Sequence, residues 1–490
     1  MTLQLTDPGL LKTQAYIDGQ WVDGAQGDTF EVTNPATGEV IARVASVGAA
    51  ETRLAIEAAQ RAMPAWQART AKERSVILRR WHDLMMQHQD DLALIMTSEQ
   101  GKPLAEARGE VAYGASFIEW FAEEAKRVYG DVIPTIANDR RLMTTRQPVG
   151  VVAAITPWNF PNAMLARKAG PALAVGCTFV IKPAKETPLS ALAMIELAER
   201  AGVPAGVLNL VVGSSSSSSA IGNELTSNPA VRKLTFTGST PVGKLLLKQC
   251  ADSVKKVSME LGGNAPIIVF DDANLDKAVA GALASKYRNA GQTCICANRI
   301  LVQDGVYDAF VEKFTAKVNE FTLGNGLDAS VTMGPLVNEA AVKDVHAMVE
   351  SALAGGAVAT TGGAPDSQGA CFYQPTVLTH VDSRMRVFRE EIFGPVAPIF
   401  RFKDEAEAIA MANDTEVGLA SYLYTRDIGR AWRVSESIEY GMVGVNEVAI
   451  SNEATPFGGI KESGLGREGS KYGVDDYLEI KYICMGGIDD

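Results

Sequence analysis

Apolar positions recur at helical spacing from Ala49 to about Gly101. Leu54, Ile56, Ala59, Met63 and Trp66, then Val76, Leu78, Trp81, Leu84 and Met85, form stripes among charged residues, which predicts helices laid on a core. A third helix over about 104–126 carries Tyr113, Phe117, Trp120 and Phe121 on one side. Aromatic residues at that spacing read as core rather than as a cofactor box. From Gly150 the period changes. Apolar runs at 150–155, 178–181, 207–212 and 232–236 alternate with helical stretches at 163–175, 189–201 and 220–225. Short buried strands with helical crossovers predict a parallel sheet covered on both faces, with its ligand at the C-terminal strand ends. A second alternation, from 266–270 through helices at 275–290 and 307–321 to 396–400 and 441–445, predicts a second α/β domain.

Two segments fit neither domain. RLMTTR at 141–146 and YLEIKY at 477–482 alternate like extended arms without a core of their own. Pairing across a subunit interface would satisfy them, a local hairpin being the alternative; the expected assembly is a homodimer or homotetramer. Six serines at 214–219 join a strand to a helix and offer no apolar surface, which predicts a mobile loop.

The length of 490 residues accommodates two or three domains, and 47% hydrophobic against 21% charged residues excludes disorder as the main state. A net charge of −12 offers no basic field to a phosphate backbone, so nucleic acid is not an expected partner. Six cysteines are too sparse for a disulfide scaffold. The first 19 residues hold a lone Lys12 and no signal-like apolar core, and no apolar run reaches the length of a membrane span. A cytoplasmic protein with no membrane partner is expected. His82, His88, His346 and His380 lack ligand spacing, so no metal site is expected.

Four phrases carry candidate chemistry. In NAGQTCIC (289–296), Cys294 is a thiol among small and polar residues, able to act as a nucleophile if its proton is removed. MELGGN (259–264) places Glu260 beside a glycine pair at a domain boundary, where a carboxylate can serve as general base for water. PWNFP (157–161) fixes Asn159 between prolines just after a strand, a rigid amide donor for an oxyanion. FTGSTPVG (236–243), with Gly238, Ser239 and Gly243, is a strand, turn and helix start of the kind that offers backbone N–H groups to a pyrophosphate.

Together these phrases resemble the aldehyde dehydrogenase superfamily from about Tyr16 to Cys484. Four longer ones, EQGKPLAE (99–106), FIEWFAEE (117–124), GNELTSN (222–228) and GIKESGLGREGSKYG (459–473), are similar to bacterial NADP-preferring succinate-semialdehyde dehydrogenases. The resemblance implies an α/β fold with a Rossmann-like cofactor domain (8–127 and 148–258), a catalytic domain (259–452), a return segment (453–469) and a β oligomerisation arm (128–147 and 470–487). It implies that Cys294 attacks the aldehyde, that the Asn159 amide and the Cys294 N–H hold the oxyanion, and that Glu260 activates water against the thioester. The presence of Glu260 argues against transfer to coenzyme A.

By the same resemblance Glu391 and Phe393 hold the nicotinamide ribose and ring, Trp158 also binds the cofactor, and Lys182 meets the adenosine ribose. NAD-preferring members carry a glutamate where Lys185 stands; a cation there favours a 2′-phosphate, so NADP is expected, with NAD weaker. Arg167, Arg288 and Ser451 match the residues that bind a distal carboxylate, a guanidinium fork suiting that group. Cys294 and Cys296 resemble a Cys-x-Cys pair that closes reversibly under oxidation. Asn162, Glu447-Val448 and the serine run depart from the bacterial pattern. Succinate semialdehyde is therefore the first expected substrate, with glutarate semialdehyde or a bulkier aldehyde as alternatives. A non-catalytic binding protein on the same fold and a thiol-disulfide oxidoreductase are competing classes.

Overall fold

The computed structural model describes residues 3–488. The first alternation forms an eight-stranded sheet, in the order Gln20–Val22, Ala15–Ile17, Leu208–Leu210, Thr178–Lys182, Val151–Ile155, Val231–Thr237, Lys256–Glu260 and Gly464–Leu465. The five strands from Leu208–Leu210 to Lys256–Glu260 are parallel. Antiparallel strands close both sides. Every residue of Thr178–Lys182 is buried, as expected where helices cover both faces. From Val151–Ile155 the chain first winds one way, through helices Pro161–Val175 and Pro188–Ala201, then returns to Val231–Thr237 on the other side. The order thus reverses between Val151–Ile155 and Val231–Thr237, which opens a crevice beyond their C-terminal ends.

The second alternation forms seven strands, in the order Val358–Thr361, Thr376–Thr379, Val396–Phe402, Ala297–Gln303, Ala265–Val269, Ala420–Tyr424 and Met442–Val445. All its neighbours are parallel except the first pair. Each sheet has its own core: one drawn from Leu10 to Leu261 together with Val474, Tyr477 and Leu478, the other from Ala265 to Phe457. The chain then returns to the first sheet, where Leu465 pairs with Met259.

The helical stripes resolve into Ala49–Ala68, Ala71–Gln87, Gln89–Gln100 and Leu104–Glu124. Reciprocal bonds between Thr70 and Glu73 cap the second. Phe117 and Phe121 are fully buried, as their spacing predicts. Among the described residues no helix is long and apolar enough to cross a membrane.

Two expectations are corrected. The arms pair with each other inside one chain: Arg140–Pro148 runs antiparallel to Leu478–Gly486, from Pro148 opposite Leu478 to Arg140 opposite Gly486. Backbone groups of each arm are thereby satisfied locally, and Leu478–Gly486 is left as an edge strand with Ile480, Tyr482 and Met485 exposed. The serine run is helix rather than loop, forming the start of Ser215–Ser227. Serine is a weak helix former because its hydroxyl competes for the backbone. Here the Ser217 and Ser218 hydroxyls donate to the Ser214 carbonyl, and Ser46 Oγ lies 3.2 and 3.3 Å from Ser214 and Ser217 Oγ, so the competition is used to fix the first turn.

Candidate active site

The crevice brings the four phrases together. Asn159 lies four residues beyond Val151–Ile155, Glu260 ends its strand, and Gly238 follows Val231–Thr237, donating its N–H to the Glu260 carbonyl at 3.0 Å. From the second sheet comes Cys294, on the turn between helix Leu275–Tyr287 and strand Ala297–Gln303. The thiol opens into a cavity of about 300 Å³ lined by Glu106, Glu110, Tyr113, Phe160, Met164, Arg167, Arg288, Ile295, Ser451 and Phe457.

Left-handed backbone shapes the turn before the thiol. Asn289 and Ala290 have φ of 53° and 54°, followed by Gly291 at 76°. For the two non-glycine residues this conformation costs about 1–2 kcal/mol each. Four hydrogen bonds offset it. Asn289 donates its N–H to Glu106 (2.8 Å) and its amide to the carbonyls of Asn159 (3.1 Å) and Gln292 (3.2 Å), and accepts from Gln100 (2.9 Å). Gly263 explains the glycine pair: a Cβ there would lie 2.3 Å from the Cys294 carbonyl oxygen, so only glycine lets the first domain's last strand meet the turn. The Asn159 amide donates to the Gln292 carbonyl at 3.1 Å, and among the described residues the Cys294 N–H donates to nothing.

Electrostatics favour the protonated forms of Cys294 and Glu260. Burial, reinforced by Glu391, pushes the Cys294 thiol up to about 12, against the pull of Arg167. Burial and the neighbouring Glu468 raise the Glu260 carboxyl well above the ordinary range, although Arg167, Lys168 and Arg467 oppose them. Glu468 itself remains charged. Burial disfavours its anion, but Lys168 bonds one of its oxygens and Arg167 Nη2 lies 2.7 Å from the other, and these two outweigh burial. Because the thiolate is the alkylated form, modification of Cys294 by iodoacetamide in the free protein should rise about tenfold per pH unit from pH 7 to 10 without levelling. Mass spectrometry of the Cys294 peptide measures it; a plateau below pH 9 would contradict the burial account.

The residues matched to a cofactor ring the same crevice. Trp158 and Phe393 meet edge to face at 5.6 Å, with Phe393 held at φ 52°. Glu391 accepts the Gly263 N–H at 3.1 Å, while burial carries its carboxyl to about 7. Ser239 is the cap residue of helix Thr240–Ala251 yet makes no side-chain cap bond, and Gly243 is buried in that helix. Lys182 ends its strand nearly buried, its ammonium 3.4 Å from the Pro183 carbonyl. Lys185 is half exposed and faces a cavity of about 260 Å³ together with Glu99, Ser214, Ser215 and Glu186, whose carboxylate lies 3.7 Å from its ammonium.

Arg167, Arg288 and Ser451 all line the thiol's cavity, but not equivalently. Arg167 is 1% exposed, ion-paired with Glu468 and stacked over Phe457 at 3.9 Å. Arg288 is exposed, lies over Phe160 at 5.2 Å and donates no side-chain hydrogen bond among the described residues. Of the departures, Asn162 is fully buried outside this lining with neither amide atom hydrogen-bonded, and the Glu447 carboxylate turns back onto the N–H groups of Val448 and Ala449. Cys296 is buried, its thiol 3.4 Å from the Gly291 carbonyl and 3.9 Å from the Lys286 ammonium; both Cys294 and Cys296 are free thiols.

Sequence reasoning missed Glu468, Lys168 and Tyr113. Lys168 adjoins the expected Arg167, and Glu468 falls within the quoted 459–473 phrase, so both were in view without a reason to pair them. Tyr113 shares the helical spacing of the core aromatics Phe117 and Phe121, which hides its place in the cavity.

Known proteins resemble this chain over nearly its whole length. The chain is 63% identical to a glutarate-semialdehyde dehydrogenase of Pseudomonas aeruginosa, over 99% of this chain and 100% of the relative. It is likewise 63% identical to an NADP(+) succinate-semialdehyde dehydrogenase of Escherichia coli, with the same coverage. A crystal structure of an E. coli NADP-dependent enzyme superposes with a TM-score of 0.97 at 62% identity, covering 99% of this chain and 100% of that one. The description of the aldehyde dehydrogenase family matches residues 21–483, and the chain is a member of that family.

Proposed function

We propose that this enzyme oxidises a small aldehyde carrying a distal carboxylate, succinate semialdehyde first and glutarate semialdehyde second, to the acid with NADP. One observation carries the reading: Arg288, a guanidinium without a carboxylate partner among the described residues, shares with Ser451 the cavity into which Cys294 opens. Such a fork suits a carboxylate. At about 300 Å³ the cavity has room for a four- or five-carbon chain. Relatives named for succinate and glutarate semialdehydes support the same class.

The crevice fits a nicotinamide dinucleotide. The uncapped N-terminal N–H groups of Thr240–Ala251 suit a pyrophosphate, the Glu391 carboxylate a ribose, and Lys182 the second ribose. Lys185 with the Ser214 and Ser215 hydroxyls supports the choice of a 2′-phosphate, tempered by Glu186. When bound, the nicotinamide supplies the hydride acceptor. The Cys294 sulfur adds to the carbonyl carbon, and the Asn159 amide and Cys294 N–H stabilise the oxyanion. Glu260, as carboxylate, takes a proton from the water that cleaves the thioester.

We assign 8–127 with 148–258 to cofactor binding, 259–452 to catalysis, 453–469 to the return and 128–147 with 470–487 to the arm. The exposed edge of Leu478–Gly486 suits a second copy, in a homodimer or homotetramer. Six free thiols fit the cytoplasm. The test is kcat/KM for succinate semialdehyde, glutarate semialdehyde and butanal with each cofactor. The semialdehydes should exceed butanal by about tenfold or more, NADP should exceed NAD, and Arg288→Ala should remove the preference for charge. Equal values for charged and neutral aldehydes would overturn the reading.

A further inference from the structure

We infer that Tyr113 is a specificity-determining residue for the anionic end of the substrate: its hydroxyl accepts a hydrogen bond from Arg167 and donates one to Ser451, so that the Ser451 proton is left for the substrate. The inference rests on the anionic substrate proposed above.

Chemistry fixes the direction of the first of these bonds. A guanidinium only donates, so at the 3.4 Å contact between Arg167 Nη1 and the Tyr113 hydroxyl the phenol oxygen accepts. Either oxygen can donate across the 2.5 Å contact between Tyr113 and Ser451; with Arg167 already donating to the phenol oxygen, we assign the phenol proton to Ser451 Oγ. Ser451 makes no other side-chain hydrogen bond among the described residues, so its proton is available to a ligand. Tyr113 and Ser451 are both half-buried and line the thiol's cavity. Arg167 is held back on Glu468 and Phe457. Its charge therefore reaches the cavity largely through the two hydroxyls, each polarising the next. Tyr113 is fixed for this task by an edge-to-face contact with Phe117 at 5.0 Å.

The two acids in the cavity do not compete for the Ser451 proton. Glu110 is engaged by Lys102 at 2.5 Å and by the N–H groups of Asn162 (3.0 Å) and Ala163 (3.3 Å). Glu106 accepts the Asn289 N–H. An anionic group at Ser451 gains a charge-assisted bond that a neutral alkyl end does not.

Steady-state kinetics of Tyr113→Phe with succinate semialdehyde and with butanal test this. The KM for the semialdehyde should rise about tenfold, with kcat and both butanal parameters within about twofold of wild type. Ser451→Ala should give a similar rise, and the double variant should be no worse than either single one, because both break one chain. A Tyr113→Phe enzyme that keeps the wild-type ratio of semialdehyde to butanal would overturn the inference. So would equal increases in both KM values, which mark a merely structural role. Wild-type enzyme with no preference for the charged aldehyde would instead sink the substrate reading on which the inference rests.

Discussion

Replacing Cys294 by alanine leaves cofactor reduction at least about 10⁴-fold below wild type, the scale on which removal of a covalent nucleophile is felt. The expectation is this large because nothing beside it can substitute. Cys296, two residues on, is buried with its thiol turned to the Gly291 carbonyl. The loop that presents Cys294 is fixed by the Asn289 hydrogen bonds and the Gly263 contact, none of which involves the sulfur. The variant should therefore retain its fold and its thermal midpoint while losing turnover. The measurement is NADPH absorbance with succinate semialdehyde at saturating cofactor, with intact-protein mass spectrometry for an acyl adduct. Residual turnover above about one per cent would move the nucleophile elsewhere.

Glu260→Gln has the second largest expected effect, and it falls on a different step. In the proposed mechanism the first half of the reaction uses Cys294, Asn159 and the hydride acceptor. The second needs a base for water, the role proposed for Glu260, whose charge acts on the Cys294 thiol. Rapid mixing should thus show a burst of about one NADPH per subunit, followed by a steady rate lower by about 10²–10⁴-fold. An acyl adduct of matching mass should accumulate on Cys294. The pH dependence follows from the direction of the shift: burial and Glu468 raise the Glu260 carboxyl, so its basic form accumulates only as pH rises. Wild-type deacylation should climb with pH through that raised value, and the variant should lack this limb. A variant that turns over at the wild-type steady rate would dismiss Glu260 as the base.

Glu260 sits in a cluster with Glu468, Lys168 and Arg167 that sets its protonation. Glu468 is held as an anion by two cations, and its charge in turn holds the Glu260 proton in place. Arg167, expected as a direct ligand of the substrate, is thus committed to two neighbours, Glu468 on one side and Tyr113 on the other. Its distance in sequence from Glu468, about 300 residues, is the reason no local pattern could reveal the pair.

Much of the architecture is legible in hydrophobic period. The strands at 151–155, 178–182 and 265–269 are buried along their whole length or nearly so, and continuous apolar runs announce that. The serine run gives no local sign of its helix, because the hydroxyl that anchors the first turn belongs to Ser46, 168 residues away. Alternation in the arms marks them as extended but does not name their partner, since it fixes which face is apolar and says nothing about which strand lies alongside.

The chain's own sequence determined the reactive groups, thiol, carboxylate, amide and phosphate turn, and the glycines that let backbones approach, because residue type and local spacing set chemistry and permitted dihedral angles. Only the tertiary structure decided which charges are free and which are spent. Burial and pairing depend on residues brought together from opposite ends of the chain: Arg167 with Glu468, Tyr113 with Ser451, Glu106 with Asn289. In a desolvated site those long-range neighbours, rather than the residue's own identity, determine where its proton and its charge reside.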